Sequence, residues 1–454
     1  MLKVINPANE EVIKEYETIS DAATEKQIEN AHQAYLKWRT TSFEHRAIKM
    51  RQLANVLLAE KEELAILMTT EMGKLRRSAL SEVEKCAWVC NYYADHAADF
   101  LADEIIATDA SKSFVTFQPI GVVLAVMPWN FPLWQVFRFI APALMAGNAG
   151  LLKHAPNVAG CAVRIQELIE KAGFPKDLFI NLPIETEQVE KIIQNQKVVA
   201  ATLTGSEKAG SRVASLAGKH IKKTVLELGG SDAYLILADA DLEKAVQACV
   251  MSRLLNNGQS CIGAKRFVVL EEVYDEFLGR FTEKMQAAKM GNPMKDENDL
   301  GPMARADLRD GLHQQVEQSI AKGATLHLGG KIPNQKGFYY PATILTNVQK
   351  GMPAFDEELF GPVAAVVKAK DEAVAIQLAN DSKFGLGAAI FTNDIEKGER
   401  IAKTQLEAGC CFVNAFVKSD PRLPFGGIKT SGYGRELSHY GIKEFVNVKT
   451  VWVK

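Results

Sequence analysis

Residues 198–210 read VVAATLTGSEKAG. The apolar, β-branched run 198–203 predicts a buried strand, and the residues after Ser206 predict a helix. Gly205 and Ser206 between them predict a tight turn. A helix N-terminus that follows a small residue favours a bound phosphate, because its first N–H groups have no partner within the helix. The pattern is not the GxGxxG fingerprint, and many such turns carry Gly-Ser for packing alone.

The same alternation continues on both sides of this stretch. Strands are predicted over 121–126, 151–153, 233–237 and 267–270, and helices over 157–171, 207–217, 241–255 and 273–288. A second alternating stretch runs over 364–413. Strands that alternate with helices predict an α/β architecture with parallel sheets.

The two ends of the chain differ from this middle part. The first hundred residues are predicted to be helical, over 22–38, 44–68 and 81–100, and strands are predicted over 114–117 and 445–452. There is no internal repeat and no Gly/Ser linker, so any domains are expected to pack closely.

Composition excludes several classes of protein. The 454 residues carry 53 basic and 55 acidic side chains, a formal charge of −2 that gives no electrostatic basis for binding nucleic acid or an anionic membrane. The most apolar stretch, 121–152, contains Pro128, Pro132, Pro142 and Arg138, which excludes a membrane span. No secretory signal is visible, and seven cysteines at irregular spacing indicate a reducing compartment, so a cytoplasmic protein is expected.

Cys261 is the cysteine whose surroundings indicate chemistry. It lies in the polar turn NNGQSCIGAKR, residues 256–266. Backbone amides and the basic pair Lys265-Arg266 favour a thiolate with a pKa below the ordinary value of about 8.5, although a buried, inert thiol is an equal alternative. The other cysteines, such as Cys86 and Cys90, are interpreted as small core residues, and no metal site is predicted.

Two polar residues at strand ends are further candidates. Glu227 interrupts an apolar strand before Gly229 and Gly230. If it faces Cys261 it can activate a water, whereas a salt bridge to a surface lysine is the alternative. Asn130, in a turn bracketed by Pro128 and Pro132, is a candidate oxyanion donor or a structural turn residue.

In this order and spacing, these motifs resemble the aldehyde dehydrogenase superfamily over essentially the whole chain. The landmarks are PWNFP at 128–132, Lys153, Gly205-Ser206, ELGG at 227–230, GQSC at 258–261, EELFGP at 357–362 and PFGGIKTSG at 424–432. The resemblance implies an α/β, aldehyde dehydrogenase-like fold with a Rossmann-like cofactor domain (1–101 and 120–229), an α/β catalytic domain (230–430) and a small β oligomerisation arm (102–119 and 438–454). It also implies a homodimer or homotetramer.

The resemblance implies a role for each candidate. Cys261 is implied to be the nucleophile that forms a thioester, Glu227 the general base, and Asn130 with the Cys261 backbone N–H the oxyanion hole. The residues implied to bind NAD or NADP are Trp129, Lys153, Gly205, Ser206, Leu228, Gly229, Glu358 and Phe360. Among these, Lys153 and Glu358 are implied to hold the riboses.

Within the superfamily the resemblance is greatest to bacterial succinate-semialdehyde dehydrogenases. These enzymes place a carboxylate-binding arginine where Arg138 lies, and a carboxylate-binding serine where Ser419 lies. A second arginine of theirs is Leu255 here, and Arg253 is the nearest replacement. A fixed cation suits a carboxylate tail, so succinate semialdehyde is expected, with glutarate semialdehyde as an alternative.

The cofactor and the reaction class each keep an alternative. Pro156 stands where NAD-preferring relatives often carry a glutamate, so NADP is expected to be tolerated, with Lys153 or His154 assisting its 2′-phosphate. A non-redox cysteine hydrolase that uses Cys261 and Glu227 is the rival enzyme, and a non-catalytic binding protein is the rival outside enzymology.

Overall fold

A computed structural model describes residues 1–454, and fifteen α-helices run through it. The helices are α1 Asp21–Trp38, α2 Phe43–Ala59, α3 Lys61–Met72, α4 Arg76–Phe100, α5 Trp134–Ala146, α6 Ala159–Lys171, α7 Val189–Gln194, α8 Glu207–Lys219, α9 Leu242–Leu254, α10 Glu271–Ala287, α11 Ala306–Ala321, α12 Pro353–Asp356, α13 Glu372–Asn380, α14 Ile395–Thr404 and α15 Ser438–Ile442. None of them is both long and apolar enough to cross a membrane.

Twenty strands complete the regular structure. They are β1 Leu2–Ile5, β2 Val12–Tyr16, β3 Glu104–Ile105, β4 Lys112–Pro119, β5 Val122–Met127, β6 Ala149–His154, β7 Phe179–Asn181, β8 Val198–Thr204, β9 Lys223–Glu227, β10 Ala233–Ile236, β11 Arg266–Leu270, β12 Thr325–Leu328, β13 Thr343–Thr346, β14 Val363–Ala369, β15 Phe384–Gly385, β16 Gly387–Phe391, β17 Cys410–Val413, β18 Ile428–Lys429, β19 Gly432–Tyr433 and β20 Val446–Val453.

The strands form five sheets, of which two are large, one has three strands, and two are the pairs β1-β2 and β15-β18. The first sheet has the order β19-β9-β8-β5-β6-β7, and all its pairs are parallel except β19 with β9. The second sheet has the order β12-β13-β14-β11-β10-β16-β17, with only β12 antiparallel. The third sheet, β20-β4-β3, is antiparallel. The α/β architecture with parallel sheets predicted from the alternation is confirmed.

The N-terminal region shows where local patterns failed. Residues 2–16 form the antiparallel hairpin β1-β2, so the prediction of helix throughout the first hundred residues is wrong there. The single helix predicted over 44–68 is also wrong, because the chain leaves helical geometry at Glu60 between α2 and α3. The Glu60 carboxylate pairs with Arg164 and with Lys171 of α6, a long-range contact that no local pattern announces.

Helix α5 runs through the centre of the molecule, and all thirteen of its residues are buried. An apolar surface on every side is typical of a core helix. Its N-terminus is capped by Glu82 of α4, whose Oε1 accepts hydrogen bonds of 2.9 Å from the backbone N–H groups of both Leu133 and Trp134. The same carboxylate forms a buried ion pair with Lys74. This contact fixes the helix that carries the residues after Asn130.

We expect Lys74→Met to lower the free energy of unfolding by about 3–5 kcal/mol, because it leaves the buried Glu82 carboxylate without its counter-charge. Urea denaturation followed by circular dichroism measures the change. The double variant Lys74→Met with Glu82→Gln should recover most of the loss, since the amide oxygen still caps α5. A double variant as unstable as the single one would contradict this account.

Candidate active site

The turn that carries Cys261 has a left-handed backbone. After α9, Asn256, Asn257 and Gly258 have φ values of 54°, 58° and 76° in succession. Asparagine and glycine are the residues that adopt this conformation at the lowest cost. The run Asn-Asn-Gly therefore favours this turn, and the polar turn predicted around Cys261 is confirmed.

Side-chain amides hold this turn in place. Asn257 Nδ2 donates to the carbonyl oxygens of Gly73 (2.9 Å) and Pro302 (3.0 Å), and its Oδ1 accepts from Gly301 N (2.8 Å). Asn256 Nδ2 donates to the carbonyl of Asn130 at 2.7 Å. These long-range bonds fix the Cys261 turn against three other segments of the chain.

Gly258 brings two of the landmark motifs into contact. A Cβ atom at this position would overlap the carbonyl group of Gly361, in the EELFGP segment, and the positive φ disfavours a side chain as well. Glycine is therefore required here by both space and conformation. The close approach sets the Cys261 turn beside Glu358 and Phe360.

Cys261 is half-buried, and its surroundings keep the thiol neutral. Burial raises its pKa to about 12, against the opposing charges of Lys265 and Arg138. Lys265 Nζ donates to the carbonyl oxygens of Cys261 and Ser260 rather than to the sulfur. The expectation of a low thiol pKa from the basic pair is therefore wrong for this state of the protein: desolvation outweighs the nearby cations.

Asn130 lies beside the Cys261 turn with one donor committed. Its Nδ2 donates to the carbonyl of Gln259 at 3.0 Å, and its Oδ1 accepts from Gln135 Nε2 at 3.0 Å. An amide NH2 group has two donors, so one N–H remains for a ligand. Gln135 fixes which way the amide points, a positioning role that the sequence analysis did not assign.

Glu227 ends strand β9 and is buried, with neither carboxyl oxygen hydrogen-bonded. Burial, and then the charge of Glu436, raise its pKa well above the ordinary value, against the opposing charges of Arg138 and Arg435. A Cβ atom added at Gly426 would lie only 2.7 Å from Glu227 Oε1, so the carboxyl group packs against the glycines of the PFGG motif. The alternative of a surface salt bridge is wrong, because no cation is paired with this carboxylate.

A cavity of about 480 Å³ opens beside Cys261. Its lining includes Cys261, Arg138 and Ser419, three residues predicted from separate parts of the sequence. Arg138 is buried in an ion pair with Glu436, and its guanidinium lies 4.6 Å from the centre of the Phe425 ring. We call this space the Cys261 cavity.

The proposed replacement for the second arginine is not in this cavity. Arg253 is fully buried and donates to the carbonyl oxygens of Ala264 (2.7 Å) and Gly258 (2.6 Å), so it supports the Cys261 turn. Leu255 itself lines the cavity wall. The suggestion that Arg253 binds substrate is therefore wrong.

The residues predicted to bind the dinucleotide follow the carboxyl ends of neighbouring parallel strands. Trp129 follows β5, Lys153 lies near the end of β6, Gly205-Ser206 follow β8, and Leu228-Gly229 follow β9. The strand order reverses between β5 and β8, which is where α/β sheets bind ligands. The Ser206 side chain caps α8 by accepting from Ala209 N at 3.3 Å.

Glu358 and Phe360 lie between α12 and β14 and contact this edge of the first sheet. Glu358 Oε1 accepts from Gly230 N at 3.0 Å and lies 3.6 Å from Lys265 Nζ. The Phe360 ring packs edge-on against Trp129, with ring centres 5.7 Å apart. A Cβ atom at Gly229 would overlap the Glu358 carboxylate, so glycine there is what lets the two segments meet.

The residues at the end of β6 and just after it separate into two kinds. Lys153 is a buried lysine whose pKa is lowered by desolvation. His154 is buried, with Nε2 donating to Pro132 O at 2.8 Å and Nδ1 accepting from Ala155 N at 2.9 Å, and burial lowers its pKa to about 4. A neutral, fully bonded imidazole offers no charge to a phosphate, so the suggestion that His154 assists is wrong. Pro156 begins the short turn that follows.

The comparisons with known proteins agree with this geometry. A protein-family sequence model described as "Aldehyde dehydrogenase family" matches residues 1–451. A probable NADP⁺ succinate-semialdehyde dehydrogenase of Synechocystis is 48% identical over 452 residues, covering 100% of this chain and 99% of the relative. The NADP⁺ succinate-semialdehyde dehydrogenase of Mycobacterium avium is 47% identical, covering 100% and 96%. The crystal structure of succinic semialdehyde dehydrogenase from Streptococcus pyogenes with NADP⁺ has a TM-score of 0.98 at 39% identity and covers 100% of both chains.

We expect alkylation of Cys261 by iodoacetamide to accelerate about tenfold per pH unit from about pH 7 to about pH 9 in the ligand-free protein, because its raised pKa leaves only a small thiolate fraction at neutral pH. Mass spectrometry of the peptide that contains Cys261 measures the rate. Cys261→Ala supplies the background from other cysteines. A rate that reaches its plateau below about pH 8 would show that the basic side chains outweigh burial after all.

Proposed function

This chain belongs to the aldehyde dehydrogenase family, and we propose that it oxidises succinate semialdehyde to succinate with NADP⁺ as the preferred hydride acceptor. The observation that carries the proposal is the shared lining of one cavity by Cys261, Arg138 and Ser419. It unites a nucleophile with groups that suit a carboxylate. Relatives that span the whole chain are named for this substrate and this cofactor.

In the first step the Cys261 thiol gives up its proton to water in the open cavity, and the resulting thiolate adds to the aldehyde carbon. A carbon–sulfur bond forms, and the π electrons of the carbonyl move to its oxygen, which becomes an alkoxide. The free N–H of Asn130 and the backbone N–H of Cys261 donate to this oxygen, and such donors stabilise charge most where water is excluded. Gln135 holds the Asn130 amide in the required orientation.

Residues at the carboxyl edge of the first sheet fit the dinucleotide. Lys153 and Glu358 would hold its riboses, the α8 N-terminus with Gly205 and Ser206 would lie by the phosphates, and Phe360 would support the nicotinamide. When bound, the nicotinamide accepts the hydride that converts the alkoxide adduct into a thioester. Gly229 has no side chain, so the Glu358 carboxylate can lie close to this backbone and reach the cofactor.

The thioester is then hydrolysed. A water adds to the acyl carbon, its proton passes to the Glu227 carboxylate, and the carbon–sulfur bond breaks to release the acid and the Cys261 thiolate. A carboxyl group whose pKa is raised by burial suits a general base near neutral pH. No hydrogen bond holds the Glu227 carboxyl group against the PFGG glycines, so rotation of this side chain toward the acyl group breaks none.

Selection of the substrate is assigned to Arg138 and Ser419. Ser419 Oγ accepts from Trp134 Nε1 at 3.1 Å, so this hydroxyl keeps its own hydrogen for an acceptor. Arg138 lines the same cavity but its charge is already balanced by Glu436, which makes it a source of directed hydrogen bonds more than of net charge. Both residues suit a short aldehyde that ends in a carboxylate.

The preference for NADP⁺ rests on the segment after β6. Pro156 replaces the carboxylate that would repel a 2′-phosphate, and Lys153 is the cation that remains after His154 has been excluded. A carboxylate near the adenosine ribose favours NAD, and its absence removes that bias. NAD⁺ is therefore expected to be used less efficiently.

The domain division and the oligomer are part of the same proposal. The first sheet would form the cofactor domain (1–101 and 120–229), the second sheet the catalytic domain (230–430), and the third sheet the arm (102–119 and 438–454). Ile105, Val448 and Trp452 of the third sheet are at least half exposed. Exposed apolar side chains on one small sheet support its burial in a homodimer or homotetramer.

We expect Glu227→Gln to lower kcat by about 10²–10⁴-fold through slower hydrolysis of the thioester, because an amide accepts no proton from water. Mass spectrometry of acid-quenched enzyme should show the acylated Cys261 accumulating during turnover. Glu444→Gln is the matched control, since this nearby carboxylate pairs with Lys223 instead. Unchanged kcat without acyl-enzyme would remove Glu227 from the mechanism.

We expect kcat/KM for succinate semialdehyde to exceed that for butyraldehyde by about 10- to 100-fold, because only the first offers a carboxylate to the cavity. Absorbance of the reduced nicotinamide gives the rates, with NADP⁺ and NAD⁺ in parallel and glutarate semialdehyde as a longer acid. Equal values for the charged and uncharged aldehydes would reject the substrate. Higher kcat/KM with NAD⁺ would reject the cofactor preference, and cleavage of an ester without any oxidation would favour the hydrolase.

A further inference from the structure

Lys85 of α4 is a cation of the Cys261 cavity that the function described above does not use. It is half-buried and lines the cavity together with Cys261. Its Nζ donates to Ser419 Oγ at 2.8 Å and lies 4.3 Å from the centre of the Trp134 ring. The ammonium group thus donates to the same hydroxyl that is assigned to bind the substrate carboxylate.

The carboxylates around Lys85 already have other partners. Glu82, one turn earlier on α4, is paired with Lys74 and caps α5. Asp420 is paired with Arg422 through two hydrogen bonds of 2.9 and 2.7 Å. No carboxylate forms an ion pair with Lys85 itself. Its charge is therefore uncompensated within the protein.

Arg138 shows the contrast. It is the other cationic side chain deep in the cavity, and Glu436 neutralises it. A buried pair contributes little net field, whereas an unpaired ammonium attracts an anion strongly where water is scarce. Lys85 is therefore the unpaired cation that bonds directly to Ser419, whereas Lys418, which also lines the cavity, is exposed to water.

We propose that Lys85 is a specificity-determining residue that binds the substrate carboxylate jointly with the Ser419 hydroxyl. The inference rests on the proposed function and assigns the charge that Leu255 does not supply. An ammonium group has three donors, and one of them is on Ser419, so two remain for a carboxylate. The Ser419 hydroxyl accepts from Lys85 and Trp134 and donates its own hydrogen to the same ligand.

The desolvation of Lys85 is consistent with a role in binding an anion. Burial, followed by repulsion from Arg138, lowers the pKa of Lys85 to about 8. A bound carboxylate supplies the opposite charge that favours the protonated form. The free energy that burial of this lysine costs is therefore partly recovered only by an acidic substrate, which is a basis for selectivity over uncharged aldehydes.

The test compares three variants of the full-length enzyme on succinate semialdehyde and butyraldehyde. Lys85→Met keeps the length of the side chain and removes its charge, and Lys85→Arg keeps the charge. Lys418→Met is the matched control, because Lys418 is an exposed lysine at the edge of the same cavity. The readout is the ratio of kcat/KM for the two aldehydes, together with KM and kcat separately.

Lys85→Met should lower this ratio about 10- to 100-fold, mainly through a higher KM for succinate semialdehyde, as expected for a lost hydrogen bond to a charged group. Lys85→Arg should retain most of the ratio, and Lys418→Met should change it less than about threefold, as is usual for exposed charges. Equal losses for both aldehydes, or an equal effect of Lys418→Met, would overturn the proposal. A wild-type enzyme with no preference for succinate semialdehyde would instead reject the proposed function, before any variant is made.

Discussion

The left-handed turn at Asn256, Asn257 and Gly258 is the constraint on which the rest of the site depends. Its conformation is unfavourable for most residues, and it persists because the two asparagine amides bond to distant backbone carbonyls at Asn130, Gly73 and Pro302. The turn delivers three things at once. It exposes Cys261 to a cavity, it presents the Gln259 carbonyl to the Asn130 amide, and it lets Gly361 approach so closely that Glu358 reaches the cofactor edge.

Two buried ion pairs fix the position of helix α5 in the surrounding structure. Lys74 with Glu82 fixes the start of α5, and Arg138 with Glu436 ties that helix to the segment after β19. Such pairs rarely add much stability over apolar contacts of the same size, but breaking one leaves an uncompensated charge in the interior. Misplaced packing of α5 is therefore penalised strongly. The Asn130 amide and the cavity wall, which both depend on α5, are held in place as a result.

The sequence allowed the α/β architecture and the polar turn around Cys261 to be predicted, because these follow from local periodicity and ordered motifs. The failures share a different cause. The break at Glu60, the backbone bonds of Arg253 and the neutral state of His154 each depend on partners that the folded chain brings together and that no helix or strand periodicity specifies. Lys85 was missed for the same reason. On α4 it is one more polar residue, and only the folded chain brings it to Ser419, which lies 334 positions later in the sequence.

Desolvation favours the uncharged form of each titratable group around the Cys261 cavity. It raises the pKa of Cys261 and of Glu227, and it lowers that of Lys85, so burial favours the neutral form of each. The fixed charges in the same region, such as Arg138 and Glu436, are paired with one another. Apart from the unpaired lysines Lys85 and Lys418, such a site carries little net charge until a ligand enters. In the proposed mechanism, charge then develops where donors are already oriented, at the Asn130 amide and the Cys261 backbone N–H, so little energy is spent on reorganising water or side chains. In the proposed function, the selectivity for an acidic aldehyde and the acceleration of its oxidation thus both depend on the low polarity around these buried groups.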